Sequence, residues 1–209
     1  MGNLRHQEQQ RLLIAMEAAK HMWHSGMKDF QRAKRKACQQ LGVADTRHLP
    51  SNEEIRQALL QYQSLFKADV QPRFMRHFRE TAQEAMQFFE QFKPRLTGDV
   101  LAGTVNQHSS VELHLFADFP EQVRLFLMQE NIPFEQKQKR FCYRNDDEQQ
   151  VPVYSFLADD VAIELMVFPT ESIRHSPRSP VDGKPMARAN LKTVKQLLDD
   201  QPSSLNAAP

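Results

Sequence analysis

The chain has 209 residues, a formal net charge of +1, 40% hydrophobic and 25% charged residues. This is the composition of an ordinary globular protein of one domain or one and a half, able to bury a full core. It excludes a collagenous or disulfide-stapled chain, and the near-neutral balance means that contact with a polyanion has to come from a local patch.

The first 94 residues read as helical, rich in Gln, Ala, Leu, Met, Glu and Lys and poor in glycine. Leu12, Leu13, Met16, Ala19, Lys20 and Trp23 recur at helical spacing, and Gly26 is placed to end that helix. Asp29 caps a second helix, Phe30 to Leu41, which Gly42 closes. Ser51-Asn52-Glu53-Glu54 after Pro50 is a capping box opening a third helix to about Phe66. Pro72 suits the first turn of a fourth, whose apolar stripe (Phe74, Met75, Phe78, Ala82, Ala85, Phe88, Phe89, Phe92) runs to Pro94.

From residue 95 the period changes. Strands are expected at 95–100, 111–116, 141–144, 151–157 and 161–168, with Asp159-Asp160 turning the last two into a hairpin. Asp118-Phe119-Pro120-Glu121 reads as a second capping box, for a helix to about Glu130. Residues 171–189 are loop-like, and a helix follows from about Ala187 to Leu198. The division is therefore a helical region 1–94, an α+β domain 95–198 and a tail 199–209 expected to be disordered. There is no internal repeat. Cys38 and Cys142 make neither a disulfide framework nor a zinc set, and no apolar signal core or run of ~18 apolar residues occurs. A reducing cytoplasm, with no membrane partner, is the expectation. Gly2 lacks the later Ser or Thr of a myristoylation signal.

Chemistry concentrates at residues 98–116. A loop bearing Gly98, Asp99 and Gly103 leads to a strand that alternates Ser110, Glu112 and His114 with Val111, Leu113 and Leu115. The alternation puts Glu112 on a polar, solvent-accessible face. Glu164 repeats the pattern within Val161–Phe168. Single acids inside apolar strands are unusual. Two of them suggest a carboxylate pair for a divalent cation such as Mg, which takes one or two carboxylates together with substrate phosphates. The bland alternative is two acids on a solvated sheet face, paired with Arg95, Lys184 or Arg188. His114, on the same face as Glu112, reads as a ligand or substrate contact, or as a histidine that only hydrogen-bonds nearby groups. His21 and His24 have metal-like spacing but no third ligand. The helical run Arg32, Lys34, Arg35, Lys36 reads as a solvated surface or as a contact for nucleic acid or another partner. Serine-triad, Walker and dinucleotide signatures are missing.

Gly98-Asp99, Gly103, the strand Ser110–Phe116 and the later Glu164 together resemble the nucleotidyltransferase fold of the DNA polymerase beta superfamily, whose signature is Gly-Ser after a strand, acid-x-acid on the next strand and a third acid on a later one. More narrowly, Ala33–Ala37, Leu49–Ile55 and the loop Pro180–Met186 are similar to segments of small bacterial nucleotidyltransferase-like proteins. The resemblance implies an α+β fold in which a helical N-terminal region packs on a small mixed sheet. It also implies transfer of a nucleoside monophosphate from a nucleoside triphosphate to an acceptor such as RNA or protein, with Mg. Glu112 and Glu164 would be catalytic and hold the metal. Gly98, Asp99, Gly103, Ser110, Lys184 and Arg188 would line the nucleotide. The pattern departs where Ser110 replaces the first acid, Glu112 stands for aspartate and Asp99 for serine. These departures support an alternative, an inactive binding module of the same fold for nucleotide, RNA or a protein partner. A third reading is a metal-assisted hydrolase built on Glu112 and His114.

Overall fold

The computed structural model describes residues 2–43, 48–66, 71–106, 108–143 and 147–200; of the expected tail 199–209, Asp199 closes the last helix and residues 201–209 lie outside the described residues. It has the α+β architecture expected, with helices first and a five-stranded mixed sheet after. The chain forms two compact units.

The first unit holds α1 (Gly2–Ser25), α2 (Phe30–Leu41) and α3 (Asn52–Phe66), joined by Asn106–His108 and Pro180–Asp182. Its core is built on small residues. Ala15, Ala18 and Ala19 of α1 share a cluster with Ala33 and Ala37 of α2 and with Ile55 and Ala58 of α3. That choice corrects part of the stripe read from sequence. Its Ala19 and Trp23 go inside, joined by Ile14 and Met22, while Leu12 is 57% and Leu13 55% exposed. Both faces have helical period. The alanine face wins because small side chains let helix axes approach closely and fill the space between them. The caps form as the sequence predicts. Arg32 N donates to Asp29 Oδ1 at 3.0 Å, Val43 N donates to Cys38 O, and Gly42 takes a φ of 66°.

The second unit begins at Pro72, so α4 (Gln71–Phe88) belongs with the sheet rather than with the helical region to residue 94. The reason is its stripe: Met75, Phe78, Ala82, Ala85, Met86 and Phe89 join the sheet core. The strands are β1 (Arg95–Thr97), β2 (Ser110–Phe116), β3 (Glu135–Cys142), β4 (Glu148–Ala158) and β5 (Val161–Phe168), in the order β1-β2-β5-β4-β3. Only β2 and β5 pair in parallel. One face (Leu96, Val111, Leu113, Leu115, Ile163, Leu165, Val167) packs with α4, α6 (Glu121–Gln129) and α7 (Leu191–Asp199). The other carries a smaller cluster, Phe116, Phe141, Val151, Val153, Met166 and Phe168, packed by Ile173 and Met186.

Several boundaries move. Residues 98–102 form the short helix α5 (Gly98–Ala102), not strand, because Gly98 at φ 71° turns the chain out of β1. β3 starts at Glu135 rather than 141, since an edge strand exposed on nearly every residue has no apolar alternation to read. The hairpin at Asp159-Asp160 forms as expected, with Ala158 paired to Val161 and Asp159 at φ 52°. The second capping box does not. Asp118 instead accepts from Thr170 Oγ1 at 2.6 Å, and α6 starts without a side-chain cap. No helix among the described residues is long and apolar enough to cross a membrane.

Candidate functional site

The register of the sheet places the two expected glutamates side by side. Glu112 of β2 is the direct partner of Glu164 in parallel β5. The same row continues across the whole sheet, because Thr97 of β1 pairs with Glu112, Ser155 of β4 with Glu164, and Glu135 of β3 with Ser155. Paired residues share a face and adjacent strands lie ~4.8 Å apart. A line of Thr97, Glu112, Glu164, Ser155 and Glu135 therefore crosses one face, with two carboxylates on its central strands. Thr97 and Ser155 were not foreseen, since cross-strand register exists only once the strand order is known.

Glu112 does not stand on an open face. It is 7% exposed, and every residue of β2 is buried. The cause is position: β2 lies inside the sheet and has material on both of its faces. Glu164 is half-buried. Adjacent like charges on neighbouring strands repel. A cation is already close, for Lys137 is ion-paired with Glu135 at 2.8 Å and also feels the Glu164 carboxylate.

Gly98 is fixed by Glu112. A Cβ at position 98 would meet Glu112 Oε2 at 2.8 Å and its Cδ at 2.9 Å. The carboxylate thus lies directly against the backbone that opens α5. Gly103 ends α5 in the left-handed region, its N–H donating to Asp99 O. The Asp99 carboxylate closes the following loop: Thr104 Oγ1 donates to Oδ1 at 3.1 Å and Ser109 Oγ to Oδ2 at 3.4 Å. Its charge is engaged locally. Ser110 is buried and faces Ala162 of β5, so the first acid of the signature has no substitute on the neighbouring strand. No group of three or more His, Cys, Asp or Glu that could hold a metal occurs among the described residues.

His114, two residues along β2 from Glu112, is fully buried beside the rings of Phe168 and Phe141. Arg188 Nε donates to its Nδ1 at 2.9 Å. Burial first, then the charges of Arg188 and Lys139, hold the imidazole pKa well below its usual value, so it is neutral. It serves as a core acceptor for arginine. Arg188 in turn donates from Nη1 to Ser172 O at 2.9 Å and lies 5.2 Å and 5.4 Å from the Phe116 and Phe168 ring centres. Desolvation brings its pKa down to about 10, leaving it charged at neutral pH. Arg188 is a clasp between β2 and the 3₁₀ turn Thr170–Arg174, not a cation open to a leaving group. Lys184 is exposed on a tight turn, where its carbonyl accepts from Ser179 N at 2.7 Å.

In the first unit the basic run is sorted by helical phase. Lys34 is buried and its pKa is lowered, chiefly by desolvation, while Arg32, Arg35 and Lys36 are exposed. His24 is within hydrogen-bond distance of Tyr62 Oη, at 3.0 Å, and shares no metal cluster with His21. No protein-family model matches the sequence, and no curated protein is significantly similar to it.

Proposed function

We propose that this chain is a nucleotidyltransferase-like protein whose acidic row at Glu112 and Glu164 engages a nucleoside triphosphate with a divalent cation. The observation that carries the reading is the in-register pairing of these two glutamates with Gly98 packed against one of them. A strand, then a glycine, then an acid-bearing strand and a further acid on a later strand follow in the order the resemblance implies.

The donor set fits one hard cation. Two neighbouring carboxylates plus phosphate oxygens and water are what Mg accepts. It does not fit two cations, because a serine hydroxyl stands where a bridging carboxylate is needed. Mg, when bound, would neutralise phosphate charge. The chain's own part is to hold Glu112 rigidly from below through β2 and from the side through Gly98, and to keep Glu164 beside it. In the transfer reading a nucleoside monophosphate passes to an acceptor, RNA or protein, in a cytoplasmic setting that suits the free thiols of Cys38 and Cys142. A second reading is favoured by Ser110: the fold kept as a binding module without chemistry.

Calorimetry of each nucleoside triphosphate with and without Mg tests the site. The expected result is Mg-dependent binding, weakened about tenfold or more (~1.4 kcal/mol) by Glu112→Gln or Glu164→Gln and strengthened by Ser110→Asp. Binding that ignores both Mg and these substitutions removes the proposal. Label from an α-labelled triphosphate appearing on RNA or protein selects the transferase reading; binding without label selects the module.

A further inference from the structure

Helix α2 has two unlike faces. Ala33, Ala37 and Cys38 are in the core of the first unit, and Lys34 is drawn in beside them, within the fields of Glu54 and Arg11. The other face presents Gln31, Arg32, Arg35, Lys36, Gln39 and Gln40, all exposed. The helix contains no acid. Asp29, at its cap, directs Oδ1 to the backbone N–H of Arg32 rather than to a side chain. Arg32, Arg35 and Lys36 stand at i, i+3 and i+4, hence on one side of the helix within ~6 Å of axial rise. Among the described residues none of the three side chains is in an ion pair.

We infer that this face of α2 is a docking surface for the phosphate backbone of duplex nucleic acid, independent of the acidic row. Charge complementarity carries the inference. Three cations, two of them guanidinium forks suited to phosphate oxygens, are flanked by glutamine amides on a helix that carries no acid of its own, and among the described residues no acid pairs with them. A single strand is the poorer occupant, because the face has no aromatic ring on which bases could stack. Nothing on it selects base edges, so binding is independent of sequence.

The test is fluorescence anisotropy of the full chain with a short mixed-sequence duplex, followed across salt. Three phosphate contacts give a slope near −2.7 in log K against log salt. This is roughly a 40-fold loss between about 50 mM and 200 mM salt. The triple variant Arg32→Gln, Arg35→Gln, Lys36→Gln, checked for retained helix by circular dichroism, should flatten that slope. Arg32→Lys with Arg35→Lys should keep it, and Lys34→Gln should leave it unchanged. Three outcomes overturn the inference: a flat slope in the unaltered protein, equal binding by the triple variant, or affinity for polyglutamate with none for the duplex.

Discussion

Two penalties meet at Gly98. Any other residue would have to adopt a φ of 71°, and its Cβ would press on the Glu112 carboxylate. Holding a non-glycine residue there costs on the order of 1–3 kcal/mol before the clash is counted. Gly98→Ala should therefore lower stability by about 2 kcal/mol or more, read as a shift in the urea midpoint. A gain or no change would mean that Glu112 does not rest on this backbone. His114 gives a different test. Its folded pKa is depressed well below 6.5, because the buried ring accepts from Arg188 and excludes a second charge. The unfolded chain protonates it near pH 6.5, so the unfolded state binds more protons below that point. Stability is thus complete above about pH 6.5 and declines as pH falls toward the folded pKa, by at most ~1.4 kcal/mol per pH unit. His114→Gln keeps an acceptor for Arg188 and should abolish that slope in equilibrium unfolding between neutral pH and pH 5. An unchanged slope would assign it to other groups.

Helix starts were legible where side chain and backbone sit within four residues. At α3, Ser51 N donates to Glu54 Oε2 at 2.7 Å and Glu54 N to Ser51 Oγ at 3.2 Å, the reciprocal box that the sequence announced. Ser51→Ala should cost ~1 kcal/mol, checked by thermal melting. Glu54 also pairs with Arg11 of α1 at 2.6 Å, and that bond, ahead of the Ser51 contacts, brings its pKa down to about 2. The stabilisation this gives is present above about pH 4.5 and lost as pH falls from there to about 2. Helical circular dichroism titrated through that window should show an acid step that Glu54→Gln diminishes. The box at Asp118 failed for a non-local reason: its carboxylate is taken by Thr170, a partner 52 residues away that no local pattern reveals.

At the scale of the molecule, the α+β class and the helix-then-strand order were readable because they follow from the period of apolar residues, which is local. The grouping of α4 with the sheet was not, since its phenylalanines mark a buried face without saying what lies opposite. The acid pair was half legible. Glu112 and Glu164 stand out as charges in apolar strands, but their adjacency depends on a parallel β2–β5 pairing with two strands and a helix intervening in sequence. The burial of Glu112 was misread because a polar alternation says which face a residue takes, not whether that face is covered. Lys137 was missed because β3 has no period to recognise.

The two rims of the sheet are guarded in different ways. On β1, Leu96 exchanges both backbone hydrogen bonds with Ala189, so the chain's own later segment closes that side. β3 is met by a later segment at its end, where Cys142 O accepts from Arg178 N at 2.7 Å, and Lys137, Lys139 and Arg140 line the rest of an outermost strand exposed almost throughout. Repulsion between such strands is what prevents two copies from zipping together along their free amides. That safeguard is electrostatic and shrinks with the Debye length, to ~3 Å in molar salt. Concentrated brine should thus favour pairing of two copies along the β3 rim into a closed dimer, read as a doubled mass by light scattering.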